Sequence, residues 1–279
     1  MIPGRLLAVI SLCGLLLAAG MQNRYDSRVD YFAERSAFVS LPSGKALKVL
    51  SFGYHNLAAD MLFIWAIQFY STPYLTNRFD FLERVFDTIS DISPRYRDPY
   101  IIGALIMVYE AGDVAMALRL LEKGSRHNPD EWFFDNDAGY YSYKFLKDVD
   151  KAETYYKRAA AKPGAPAFLK RMNAHMVYLS EDPKVAYGMW LDIYNNARDP
   201  FEKDMAFNHL YQIRAEIDLA QLKERIALFR ERSGRWPTSL AELAGPGAGS
   251  FRDLKGNEYI YDAEKGAVTA AKVFRWKRR

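Results

Sequence analysis

At 279 residues, half of them hydrophobic, 26% charged and 15% aromatic, the chain has ordinary globular composition, and its 19 Tyr and 17 Phe predict a core of large side chains. A net charge of +4 is too small to argue for nucleic acid, and with no RNP-like, zinc-finger or basic-zipper pattern no such partner is expected. The one cysteine, Cys13, sits in an apolar N-terminal run, which excludes a disulfide framework and a cysteine-based metal site from the folded part.

That run, Leu6 to Gly20 behind Arg5, reaches about 22 Å as a helix, and about 28 Å with Ile2 to Gly4 included, close to the ~30 Å hydrocarbon core. Residues 1–22 therefore read as a signal anchor, or as a signal peptide cut at the small residues Ala18-x-Gly20. Leu12 ahead of Cys13 argues against a lipoprotein. By charge alone, Arg24, Arg28 and Arg35 after the run would keep the body inside, whereas the order of charged and apolar regions is that of an export signal. The expectation is a single-pass inner-membrane protein with a periplasmic body; an adaptor tethered at the cytosolic face is the alternative. Residues 23–55 read as lead-in helices.

Helical hairpins are expected over 56–200. "DPYIIGALIMVYEAG" is apolar at Ile101, Ala104, Leu105 and Val108, the i, i+3, i+4, i+7 stripe of a helix, and the helix after it carries Ala117, Leu120, Leu121 and Gly124. Ala152 stands 35 residues beyond Ala117, and Ala186 a further 34. Each alanine follows a turn carrying aspartate: Gly112-Asp113, Lys147-Asp148 and Asp182-Pro183. Four residues after each comes a large side chain (Leu121, Tyr156, Trp190), and each unit closes near a proline (Pro129, Pro163, Pro200). A small residue lets two antiparallel backbones approach, the bulky one fills space toward the next hairpin, and proline stops the second helix. Such a hairpin cannot bury its apolar face alone, so the units are expected to stack. A degenerate earlier unit pairs "HNLAADMLFIWAIQFY" with "FDFLERVFDTISDISP", with Leu82 in place of the alanine. Residues 201–233 lack this punctuation and read as one or two long capping helices.

The spacing resembles the tetratricopeptide (TPR) repeat in the turn Gly112-Asp113, in small Ala117, Ala152 and Ala186, and in terminal Pro129. It departs from the family in the first helix, where the usual Trp and Leu-Gly appear only as Ile101 with Ala104-Leu105, and as Asn173-Ala174. The resemblance implies an all-α protein: an α-α superhelical solenoid of three to four hairpins plus capping helices, with first helices lining a concave protein-binding groove. Projected onto that groove are Ile102, Ile106, Tyr109, Glu110, Asp137, Tyr141, Lys144, Arg171, His175 and Tyr178. Their mixed aromatic and charged character suits an extended or helical peptide segment.

Residues 234–279 form a separate small piece. Gly234 suits a helix C-cap, Ser239-x-x-Glu242 a capping box, and "EYIYDAEKGAVTA" a β-hairpin with strands through Tyr261 and Val268 around a turn ending at Gly266. The order of long helix, Gly-aromatic-Pro, short helix and Tyr-x-Tyr hairpin resembles the C-terminal part of type II secretion pseudopilins, although no prepilin signature opens the apolar run. A generic hairpin closing off the helices is the other reading. The terminal "KVFRWKRR" reads as a solvated basic tail.

No Walker loop, dinucleotide glycine fingerprint, nucleophile elbow or His-Glu-x-x-His occurs, and His55, His127, His175 and His209 lack a second ligand at i+3 or i+4. "DNDAG" (Asp135 to Gly139) has its glycine one position early for a calcium loop and reads as a helix start. No catalytic, cofactor or metal site is expected. These features point to a membrane-anchored TPR scaffold or adaptor that binds protein partners in an envelope assembly related to pilus, secretion or export. An envelope enzyme or glycan-binding module using the aromatic groove is the alternative.

Overall fold

The computed structural model describes residues 13–21, 23–24, 41–71, 78–79, 81–180, 183–243 and 251–271. Most of the expected anchor (1–12 and 22), about half of the lead-in (25–40), Asp182 and the basic tail therefore lie outside the described residues. Residues 13–21 are helical, and no helix among the described residues is long and apolar enough to cross a membrane. The described chain is mostly α-helical, with one two-stranded β-hairpin, and it divides into two compact units, residues 1–127 and 128–279.

The first unit holds α1 (Gly44–Leu50), α2 (His55–Tyr70), α3 (Leu82–Ile92), α4 (Asp98–Tyr109) and α5 (Val114–His127). Helix α3 is its centre because its apolar residues recur at helical spacing: Leu82, Val85, Phe86, Ile89 and Ile92 are all buried. Tyr70 of α2 stacks on Phe86 with ring centroids 6.0 Å apart, and Phe63 meets the same ring edge-on at 6.3 Å. From the other side α4 comes close at Gly103, where a Cβ would stand 2.7 Å from both Phe86 and Leu120 side-chain atoms. Ala117 and Leu121 of α5 are buried, as their spacing requires. Arg119–Glu83 (2.6 Å) and Lys123–Asp91 (2.6 Å) tie α5 to α3 at the surface, where such pairs add little stability.

Helices α6 (Phe133–Tyr141), α7 (Val149–Ala161), α8 (Ala167–Ser180), α9 (Pro183–Asn196) and α10 (Pro200–Ser233) make up most of the second unit, each packed on the next. Ala152 and Ala186 are fully buried, and Tyr156 and Trp190, four residues on, are buried beside them in sequence. Gly139 of α6 lies against the Tyr156 ring, 3.1 Å from where a Cβ would be. "DNDAG" is the start of α6: Asp135, buried, is neutralised by Arg158 and by Lys162 at 2.7 Å. The capping region is a single helix, opened by Asp199 and Pro200 and closed by Gly234 at φ 71°.

The turn inside the hairpin repeats in detail. Gly112 has φ 72°, and the Asp113 N–H donates to the Met107 carbonyl at 2.8 Å while its carboxylate accepts from the Met116 N–H at 2.8 Å. Thirty-five residues later (112 to 147) Lys147 has φ 58°, the Asp148 N–H donates to the Ser142 carbonyl at 3.2 Å, and its carboxylate accepts from the Lys151 N–H at 2.9 Å. Aspartate is wanted there because it caps the second helix, and a left-handed residue is wanted just before it to reverse the chain. A lysine in that conformation is strained where glycine is not.

The C-terminal piece packs on the second half of α10, where Ala215, Leu222 and Ile226 meet Tyr259, Val268 and Trp236. Its strands β1 (Ile260–Asp262) and β2 (Ala267–Thr269) pair with Tyr261 opposite Val268, as the sequence indicates, and Gly266 fits under Trp236 where a Cβ would come within 2.4 Å of the ring. The expected capping box is not formed. Leu240–Leu243 is a 3-10 turn in which the Glu242 N–H bonds the Ser239 carbonyl, so there is no α-helical first turn for the Ser239 hydroxyl to cap, and Thr238 donates to Glu242 instead, at 2.5 Å. Three tyrosine hydroxyls pin the piece: Tyr211 to Asp253 (2.6 Å), Tyr259 to Asp218 (2.9 Å) and Tyr261 to the Pro237 carbonyl (2.9 Å). Burial alone would raise the pKa of Asp253, but hydrogen bonds from Tyr211, Asn257 and two backbone amides bring it down to about 2.

Gly103→Ala should cost about 1–3 kcal/mol through overpacking, whereas Gly188→Ala, in an open stretch of α9, should gain roughly 0.5–1 kcal/mol from helix propensity. Lys147→Gly should stabilise by about 1 kcal/mol by relieving the left-handed conformation. Urea unfolding of the three variants measures all of these; equal effects of the two alanines would contradict the packing described.

Candidate functional site

Three of the ten projected groove residues lie on α8 and face α10 within the second unit. Arg171 forms an ion pair with Glu202. Tyr178, buried, donates to Glu216 at 2.6 Å and accepts from Gln212 Nε2 at 3.1 Å. The His175 ring centroid is 6.2 Å from that of His209, which lies flat on Trp190 at 3.8 Å. Burial, and then neighbouring His175, hold the His209 pKa down at about 4, and burial lowers that of His175 as well. The result is a polar seam between two helices. Because each polar group there needs its particular partner, the seam fixes how α8 and α10 pair, and it leaves Tyr178 out of reach of a ligand.

Asp137, Tyr141 and Lys144 come from α6 and its continuation. Tyr141 is buried against Phe145, centroids 6.1 Å apart. Asp137 is half-buried, and burial raises its pKa against the hydrogen bond from Asn136 at 3.0 Å. Lys144 is exposed and belongs to a π-helical turn, Ser142–Leu146. The wider turn rotates its residues off the α-helical register, a distortion frequent at functional positions. Phe145 and Leu146 in the turn, and Tyr140 just before it, show about two-fifths of their surface to water (38%, 43% and 40%). Sequence reasoning missed this patch, since a 3.6-residue period run through "YYSYKFL" gives no sign of the extra residue.

The remaining four residues are on α4 of the first unit. Ile106 is buried and Ile102 half-buried, Tyr109 is 55% exposed, and exposed Glu110 pairs with Arg78 at 3.6 Å. Of the ten, then, Tyr109, Glu110 and Lys144 are the exposed ones.

On the side of α8 away from the seam, Lys170, Asn173, Met189, Asp192, Ile193 and Asn196 line an open cleft of about 530 Å³ between α8 and α9. Among the described residues no group of three or more His, Cys, Asp or Glu side chains is placed to hold a metal ion. Compared with known proteins, the sequence matches no family model and no curated protein.

The seam makes stability depend on pH. The folded pKa of His209, about 4, lies below its ordinary 6.5, so between those values the unfolded chain binds the proton and the fold does not. Stability is therefore full above about pH 6.5 and falls as the pH drops toward 4. His209→Phe keeps a ring on Trp190 and removes the titration. Urea unfolding across that range should show a shallower fall for the variant; the same slope as wild type would rule out His209 as a source of the acid sensitivity.

Proposed function

We propose that residues 56–200 are TPR-like hairpins, of the kind that stack into an α-α superhelical solenoid, and that the protein is a membrane-anchored scaffold holding protein partners of an envelope assembly. The observation that carries this reading is the equivalence of Ala117, Ala152 and Ala186: each is fully buried, and each is followed four residues on by a buried large side chain. The recurrence of one left-handed turn and one aspartate cap at 112–113 and 147–148 supports the same reading. Repeated hairpins offer extended surface, which suits protein partners. Burial of Tyr141 and Tyr178 weighs against the enzyme or glycan-binding alternative, because those rings were its aromatic platform.

Anchoring is supported by the N-terminal run, whose helical residues 13–21 present Leu15, Leu16, Leu17 and Met21 to the surroundings. A setting in pilus, secretion or export is supported by the pseudopilin-like order of the C-terminal piece. Within the second unit, partner contact falls to exposed Lys144 of the projected set, together with Tyr140, Phe145 and Leu146.

A photo-crosslinker at Tyr140 in the full chain in its membrane should capture a protein partner, and Lys144→Glu with Phe145→Ser should weaken that capture without changing the melting temperature. Capture indifferent to both substitutions would remove the π turn from the interface. A reporter fused at residue 279 should be active on the periplasmic side; activity on the cytosolic side would turn the orientation round.

A further inference from the structure

Helix α2 is apolar on every side, a pattern that belongs to a buried helix. One side does reach the core, through Ala59, Ala66 and Tyr70. Opposite them Leu57, Met61 and Ile64, at i, i+4 and i+7, are 57%, 65% and 58% exposed. Trp65 flanks this stripe, and the preceding turn adds Tyr54 and Phe52. Phe52 is 87% exposed and stands at φ 48°, a strained conformation for an aromatic residue that here holds its ring in the open. The one carboxylate of the helix, Asp60, is exposed. Exposed Lys45 and Lys48 lie just ahead on α1. A face rich in apolar and aromatic side chains, with Asp60 and Gln68 as exposed polar groups and two exposed lysines on the helix before it, exceeds the scattered exposure of an ordinary surface.

We infer that this face of α1–α2, from Lys45 to Trp65, lies in the surface of a bilayer containing anionic lipid. At 16 residues α2 is about 24 Å long, short of the ~30 Å core, and its inner side is taken by α3, so it lies along the membrane and does not cross it. The apolar side chains enter the acyl boundary, and Lys45 and Lys48 meet lipid phosphate. The inference deepens the anchored-scaffold reading and rests on it for the bilayer being at hand. It makes α1–α2 a second membrane contact that sets how the first unit is presented.

The test uses the full chain in vesicles of phosphatidylcholine with phosphatidylglycerol, carrying one nitroxide at a time. Native Cys13 reports the N-terminal run; in a Cys13→Ser background, Met61→Cys and Ile64→Cys report the face, and Glu231→Cys on α10 is the aqueous control. Labels at 61 and 64 should collide more often with oxygen and less often with a water-soluble nickel chelate than the label at 231. Lys45→Glu with Lys48→Glu should bring them several-fold back toward the control. Aqueous labels at 61 and 64 with Cys13 immersed would overturn this inference and leave the anchor standing; the reverse pattern would overturn the anchor alone. Shielding from both reagents, or spin–spin broadening between copies, would mean that protein covers the face, and would overturn the inference too.

Discussion

Two helices of a hairpin can share one core only where a side chain small enough to let the backbones close stands at the point of nearest approach. In this chain those places are Ala117, Ala152 and Ala186, all without exposed surface, and Gly103 and Gly139 on the facing first helices. A Cβ at Gly103 would strike Phe86 and Leu120, and one at Gly139 would press on Tyr156. The large residues, Leu121, Tyr156 and Trp190, can be buried because the small ones make room for them. Where Leu82 takes the alanine's place, α3 is instead the hub of the first unit, ringed by Phe63, Tyr70 and Gly103. Everything beyond these contacts, from the long helix to the proposed scaffold role, depends on the hairpins being closed this way.

The features legible in the sequence are those that local physics fixes. The burial of alanines spaced 35 and 34 residues apart, the Gly234 cap and a β-hairpin with strands through Tyr261 and Val268 all come from short-range rules of packing, capping and turn chemistry, and the structure has them. The features that were not legible depend on a partner distant along the chain. Arg171, His175 and Tyr178 project from the first helix of their hairpin, but α10 returns across that side of α8, and Glu202, His209 and Glu216 occupy them. The π turn at Ser142–Leu146 shifts register by a residue that no periodicity announces. Lys147 holds a glycine's conformation because the Asp148 cap and the helix after it require it. Ser239 carried a capping-box pattern, yet the chain tightened into a 3-10 turn and Thr238 took the bond.

The same contrast separates two kinds of surface. Between α8 and α10 polar groups meet in specific pairs, Arg171 with Glu202 and Tyr178 with Glu216, which favours one packing. On α2 the imbalance is reversed: apolar groups are exposed. A scaffold needs rigid spacing in one place and adhesive surface in another, and in the proposed reading the seam supplies the first while the π-turn patch and the α2 face supply the second.

The most direct test of hairpin closure is the unfolding free energy of Ala117→Leu, Ala152→Leu and Ala186→Leu, taken against Ala115→Leu on the exposed side of α5. The three seats should each lose about 1–3 kcal/mol through overpacking, and the control should stay within about 0.5 kcal/mol of wild type. If leucine is tolerated at the three seats as well as it is at 115, the helices are not held together at these points of closest approach.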